Sequence, residues 1–202
     1  MAFINTITPG AAEGKLAEIY RRVRGPGGQV DNVLQAHSMR PHSLEGHMAL
    51  YRAVLHHPGN ALPTWFLESI GVLVSRINGC NYCERHHAGG LQRLLADQPG
   101  RYEACFAQLQ LDEPGAPFTA GEIAALTYAR KLTQAPREIR QTDIDLLRAQ
   151  GFSDGEILEI NQVTSYFAYA NRTVSGLGVN IDGEVLGLSP EAFADEADCA
   201  HT

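Results

Sequence analysis

The stretch from Gly79 to His87 reads GCNYCERHH: two cysteines separated by two residues, then Glu84, Arg85 and two consecutive histidines. Cysteine pairs at this spacing serve as redox couples, as half of a zinc site or as haem attachment points, and the neighbouring residues separate these uses. Haem attachment needs a histidine directly after the second cysteine, and Glu84 stands there instead. A structural zinc site needs four donors. Cys80, Cys83 and either His86 or His87 supply three, and no second CxxC or HxxxH clamp follows, so zinc is the rival reading rather than the leading one. A thioredoxin-type pair would follow a buried strand, whereas the segment before this one has helical periodicity. Two inert core cysteines on an amphipathic helix form the blandest alternative, which the polar neighbours Asn81, Glu84 and Arg85 weaken.

The redox reading has a physical basis. Cys80 follows Asn78-Gly79 and so falls at or just before the first turn of a helix. Unpaired backbone N–H groups and the positive end of the helix dipole favour a thiolate there. Cys83 lies one turn on, and Cys80, Cys83 and His87 at i, i+3 and i+7 share one helix face, with His87 as a base in reach. One turn is also a separation that a disulfide can close with modest adjustment. Such a couple cycles between dithiol and disulfide and calls for no cofactor and no metal.

Helices must position these residues. Leu16, Ile19, Tyr20 and Val23 predict a helix from Ala11 to Arg24, ended by Gly25-Pro26-Gly27-Gly28. A short segment from Val30 to Met39 follows, and Pro41 opens a run to about His56. Pro63 opens the next helix in the same way. Its dense apolar set of Trp65, Phe66, Ile70, Leu73, Val74 and Ile77 marks a central buried element that stops at Asn78-Gly79. The motif helix runs from about Cys80 to Ala96, and a short one carries Tyr102 and Phe106. Thr119 with Glu122, and Ser153 with Glu156, have capping-box spacing and mark two helix starts. Thr142 is the expected cap of a short helix ending at Gly151, and the last helix reaches the Asn171 to Val174 region. The fold class is all-α.

Composition bounds the partners. A chain of 202 residues that is 44% hydrophobic supports one well-buried core, so residues 1–188 read as a single helical domain and 189–202 as a weakly ordered acidic tail. The net charge of −7 is dispersed, which argues against nucleic acid. No apolar run is long enough to span a membrane and the start lacks signal-peptide character, so the expected location is cytoplasmic. Thiols stay reduced there, and Cys80, Cys83, Cys105 and Cys199 are not a structural disulfide framework. The densely apolar helices at 64–77 and 153–171 offer more hydrophobic face than thin layers of short helices can cover, and predict a homo-oligomer.

Glu68, Cys80, Cys83 and His87 spell E-x11-C-x2-C-x3-H. This resembles the core signature of the alkylhydroperoxidase D-like (AhpD-like) group in the carboxymuconolactone decarboxylase superfamily. The segment LPTWFLESIGVLVSRINGCNYCERHH resembles that group's helix, break and helix throughout. NVLQAHSMRPHSLEGHMALYRAVLHHP, LTYARKLTQAP and GFSDGEILEINQVTSYFAYANR resemble its uncharacterised peroxidase-related branch, so that residues 5–180 are covered. The resemblance implies an AhpD-like helical bundle around an antiparallel helical pair carrying the CxxC motif, assembly into an oligomer, and thiol-dependent reduction of organic hydroperoxides. It casts Glu68 and His87 as a proton relay, Cys83 as the attacking thiol and Cys80 as the resolving one, where the helix-terminus argument points to Cys80 as the activated thiolate. A small hydroperoxide and a thiol or dithiol reductant are the implied partners.

Tyr82 stands between the cysteines where the founding pattern has a relay histidine, and is a candidate for relay or site lining. Glu68 could instead pair with Arg76, and His86 is expected to face away from the cysteines or to cap a neighbouring helix. His37, His42, His47, His56 and His57 form no HxxxH or HExxH motif and read as surface or helix-contact residues. Cys105 reads as an isolated helix cysteine and Cys199 as a tail residue. Tyr166, Phe167 and Tyr169 read as core or subunit interface. Asn171-Arg172 reads as a cap or core contact, with a part in lining the site as the lesser alternative. Besides the hydroperoxide reductase, a redox-sensing or zinc-binding helical module and a carboxymuconolactone decarboxylase-like enzyme stay open.

Overall fold

A computed structural model describes residues 2–25 and 27–187, and among these the regular elements are helices, with no strand. They are α1 (Gly14–Val23), α2 (Asn32–Ala36), α3 (Pro41–Tyr51), α4 (Thr64–Ile77), α5 (Asn81–Leu94), α6 (Arg101–Leu109), α7 (Ala120–Gln134), α8 (Gln141–Ala149) and α9 (Asp154–Gly176). A 3-10 turn at Pro9–Ala11 precedes α1, so the first helix starts at Gly14 rather than at Ala11. The expected acidic tail at 189–202, with Cys199, lies outside the described residues.

Helix α4 is the centre of the molecule. Every residue from Phe66 to Ser75 is buried, which demands cover on all sides, and α5, α7 and α9 supply it. Leu67, Ile70, Leu73, Leu91, Leu126, Ile160, Val163 and Phe167 meet in the resulting core. A second cluster joins Leu16, Ile19 and Tyr20 of α1 to Leu34, Leu44 and Met48. α3 does not stop cleanly: one wide turn at Arg52–His56 continues it. Such turns recur at functional sites, and this one carries His56 towards α4.

The start signals differ in their fates. Thr119 and Ser153 both form full capping boxes with Glu122 and Glu156. Pro63 occupies the N-cap position of α4 in extended conformation, one residue earlier than expected. Thr142 is not the cap of α8. That position falls to Arg140, whose backbone N–H donates to the Asp143 carboxylate at 2.7 Å, while Lys131 donates to the same group at 2.7 Å and 2.8 Å. A carboxylate that also reaches a lysine on the adjacent helix outcompetes a hydroxyl that caps and does nothing else.

The crossing of α4 and α9 depends on Gly71. A methyl group there would run into the ring of Phe167, which is fully buried and has nowhere to retreat. Gly71→Ala is therefore expected to cost about 1–3 kcal/mol of stability through overpacking. A lower urea midpoint at unchanged slope is the signature to look for.

Candidate active site

The link between α4 and α5 builds the site. Gly79 adopts φ of +68°, a conformation open to glycine at little cost. Its N–H bonds to the Arg76 carbonyl, and the next N–H, that of Cys80, bonds to Ser75 at 2.9 Å. These two bonds are the Schellman pattern that closes a helix. Cys80 is at the same time the N-cap of α5, its sulfur accepting from the Cys83 backbone N–H at 3.4 Å. The two sulfurs lie 2.8 Å apart, both reduced and both buried.

One proton held between two such sulfurs splits their acidities. The Cys83 thiol donating to it is the largest cause that pushes Cys80 down to about 6, with the Cys83 backbone N–H, Ser175 and Asn171 adding to the effect against desolvation. Cys83 is pushed up by its hydrogen bond to Cys80 and by burial. Asn171 is itself fixed, accepting from Asn78 at 2.9 Å and donating to Ser75 Oγ at 3.0 Å. It contacts the redox pair as well as the core.

Glu68 comes from α4 and His87 from α5, and the fold-back brings His87 Nδ1 to within 2.6 Å of Glu68 Oε2. Glu68 is buried, and its partner is not Arg76. His56, delivered by the wide turn after α3, stands 3.9 Å from the other carboxylate oxygen and 2.9 Å from the Tyr51 hydroxyl. Burial lowers the His56 pKa, with Glu68 raising it and His87 lowering it further. Phe167 meets the His87 ring edge-on at 4.5 Å. The core residue that Gly71 accommodates thus also fixes the imidazole.

These groups open onto a cavity of about 370 Å³. Glu68, Cys83 and His87 line it, together with Tyr51, His56, His47 and Tyr166 and apolar side chains. Cys80 does not; it borders a smaller cavity of about 210 Å³ formed with Val174, Ser175 and residues 179–181. Sequence reasoning placed the two cysteines on one face, but the N-cap geometry gives each sulfur its own opening.

Tyr82 lines the site, one of its two expected roles, whereas His86 departs from expectation. The Tyr82 hydroxyl accepts from the Val33 N–H at 3.2 Å and donates to Glu184 at 3.0 Å, and burial raises its pKa. His86 neither faces away nor caps a helix. It stacks on Tyr82 at 4.5 Å, meets Glu184 Oε2 at 3.1 Å and borders the large cavity. Glu184 also accepts from the Asn32 N–H, tying the segment after α9 to α2 and α5. Nothing in a glutamate followed by valine announces this. His86 and His87 are committed to Glu184 and Glu68, and among the described residues no group of three His, Cys, Asp or Glu is placed to hold a metal.

Solved structures share this architecture. The alkylhydroperoxidase AhpD core protein of Ralstonia eutropha JMP134, an uncharacterised peroxidase-related protein, matches with a TM-score of 0.75 at 24% identity, over 89% of this chain and 91% of its own. A second peroxidase-related protein, from Silicibacter sp. TM1040, matches with a TM-score of 0.67 at 32% identity, over 76% of this chain and 77% of its own. The debrominase Bmp8, solved with 2,3,4-tribromopyrrole, shares the fold with a TM-score of 0.63 at 18% identity, over 91% of this chain and 95% of its own. No protein-family model matches the chain, and no curated protein does. The fold is that of the AhpD-like helical proteins. At 32% identity over some three quarters of both chains, this protein belongs to their peroxidase-related family.

The acidity of the couple is directly measurable. Alkylation of the reduced protein by iodoacetamide should rise with pH around a midpoint near about 6, the value to which Cys80 is lowered, well below the roughly 8.5 of a free cysteine. Cys83→Ala removes the largest stabiliser of the thiolate and should move the midpoint upward. A midpoint unchanged by Cys83→Ala would refute the shared-proton account.

Proposed function

We propose that the protein is a thiol-dependent hydroperoxide reductase. The observation that carries this reading is a reduced cysteine pair 2.8 Å apart, whose second member shares a cavity with buried Glu68 and half-buried His87, 2.6 Å from each other. Membership in a peroxidase-related family supports it.

The proton between the sulfurs moves to Cys80, and the Cys83 thiolate, which borders the cavity, attacks the outer oxygen of the hydroperoxide. The O–O bond breaks, Cys83 becomes a sulfenic acid, and protonated His87 gives its proton to the departing alkoxide, which leaves as an alcohol. Glu68 orients the imidazole through its contact with Nδ1 at 2.6 Å. The Cys80 thiol then attacks the sulfenic sulfur and its proton passes to the departing hydroxide, which leaves as water. The product is a Cys80–Cys83 disulfide, and a dithiol reductant returns it to the starting state by exchange. On this reading the negative charge rests on Cys80, while Cys83 has access to the substrate.

A homo-oligomer is part of the proposal, supported by apolar or aromatic side chains left exposed on helices, among them Leu50, Leu146, Leu158 and Tyr169. No helix of the described residues is long and apolar enough to cross a membrane. A cytoplasmic location belongs to the same proposal, its support being the free thiols of Cys80, Cys83 and Cys105.

One equivalent of organic hydroperoxide should remove two titratable thiols and leave a Cys80–Cys83 disulfide in peptide maps. Cys80→Ser should accumulate a sulfenic acid on Cys83 that dimedone traps, and Cys83→Ser should yield none. Loss of thiols without the disulfide would count against the reaction. In single-turnover experiments Glu68→Gln and His87→Ala should each slow thiol oxidation by roughly a hundred-fold. The double variant should lose far less than the product of the two. Full activity in folded Glu68→Gln would remove the carboxylate from the mechanism.

A further inference from the structure

The far wall of the large cavity carries a polar group that the reaction does not use. A row of rings leads to it from the chemistry: His87 to Tyr51 at 6.4 Å between centroids, Tyr51 to Tyr166 at 6.0 Å, and Tyr166 to His47 at 5.8 Å. His47 is 5% exposed and borders the cavity from α3. The other imidazoles of the wall are committed, His87 to Glu68, His56 to Tyr51 and His86 to Glu184. His37, whose ring lies 4.7 Å from His47, is engaged with the Val33 carbonyl at 2.8 Å. The Nδ1 atom of His47 is buried and has no hydrogen-bond partner among the described residues.

A buried polar atom left unpaired costs stability, and in a native structure it calls for an explanation. Nδ1 is closed off even from the open cavity, so a ligand meets the ring at Nε2, which makes no hydrogen bond among the described residues and is not closed off in the same way. Burial, with the neighbouring His37, pushes the His47 pKa down to about 3. The ring is thus uncharged through the physiological range and offers one hydrogen bond but no counter-charge. The cavity wall also carries the aromatic and apolar side chains Tyr51, Tyr166, Met48, Leu34, Ala170 and Val174, with Asp31, Thr64 and Arg93 among its polar members.

Resting on the hydroperoxide-reductase reading, we infer that His47 is a specificity-determining residue. The substrate is an uncharged organic hydroperoxide with a compact, ring-sized apolar body that bears one hydroxyl or carbonyl group away from the O–O bond, and that group hydrogen-bonds to His47. A hydroperoxide carrying a carboxylate at the same end is rejected, because its charge would be buried without a partner. Hydrogen peroxide, which fills neither the apolar section nor the His47 end, is a poor substrate.

Binding can be tested apart from turnover. In Cys83→Ser protein, calorimetry should show the para-hydroxylated counterpart of cumyl alcohol binding at least about tenfold more tightly than cumyl alcohol itself. The para-carboxylated counterpart should show no such gain. Adding His47→Phe should reduce the hydroxyl advantage to within about twofold, whereas His47→Gln, which keeps a hydrogen-bonding group, should retain part of it. Thermal melts of each variant confirm folding, and the His47→Gln comparison stands if His47→Phe does not fold. Equal binding of the two alcohols, or an advantage that survives both His47 variants, overturns the inference. Thiol titration of the unsubstituted protein with cumene hydroperoxide, run alongside, tells a failed subsite from a failed reductase: oxidised thiols without a hydroxyl preference overturn only the role of His47.

Discussion

The turn at Asn78-Gly79-Cys80 is the constraint on which the rest of the site depends, because it ends the most buried helix and starts the reactive one with no residue to spare. Helix α4 leaves its last carbonyls without intrahelical partners, and the N–H groups of Gly79 and Cys80 satisfy two of them. Gly79 makes this possible at φ of +68°. With its backbone N–H spent on α4, Cys80 has its sulfur free to cap α5, and so a redox sulfur sits at a helix N-terminus, hydrogen-bonded by the residue with which it pairs. The same reversal folds α5 back along α4 and brings Glu68 to His87 across nineteen positions of sequence.

Burial then sets the chemistry. A carboxylate in the core of a helical protein is costly unless paired. Glu68 has His87 as its close partner and His56 further off, all inside a wall of aromatic side chains where charges interact more strongly than in water. The sulfurs follow the same rule: one negative charge is tolerated because the neighbouring thiol, a backbone N–H, Ser175 and Asn171 all point at Cys80. Packing and proton transfer are linked through Phe167, which rests on Gly71 on one side and meets the His87 ring on another.

The segment after α9 closes the remaining wall. Glu184 is held by Asn32, Tyr82 and His86, Arg93 donates to the Leu186 carbonyl at 2.7 Å, and the backbone at Gly187 lies directly against Gly89 and Gly90. A Cβ at Gly89 would press on the Gly187 backbone at 3.2 Å, whereas one at Gly90 would meet the Glu68 carboxylate at 3.6 Å; each glycine inside the helix costs about 1 kcal/mol relative to alanine. Asp31 borders the same region, and burial raises its carboxyl to about 6, with His86 lowering and Glu184 raising it.

The sequence by itself determined the all-helical class, the capping boxes at Thr119 and Ser153, the buried character of the segment from Phe66 to Val74 and the placement of Cys80 at a helix start. These are properties of period, capping chemistry and glycine conformation, all of which act within a few residues. It also singled out Glu68 and His87, through spacing that resembles a known family rather than through any local rule. Tertiary structure alone decided what those residues touch. Whether Glu68 met Arg76 or His87 depended on which helix packed against α4, and the inward turn of His86 depended on a glutamate almost a hundred residues later. Thr142 lost its capping role to Asp143 because Lys131 on α7 lies beside that carboxylate. The unpaired nitrogen of His47 has no signature in sequence, since a histidine on an amphipathic helix acquires or lacks a partner only when other helices enclose it.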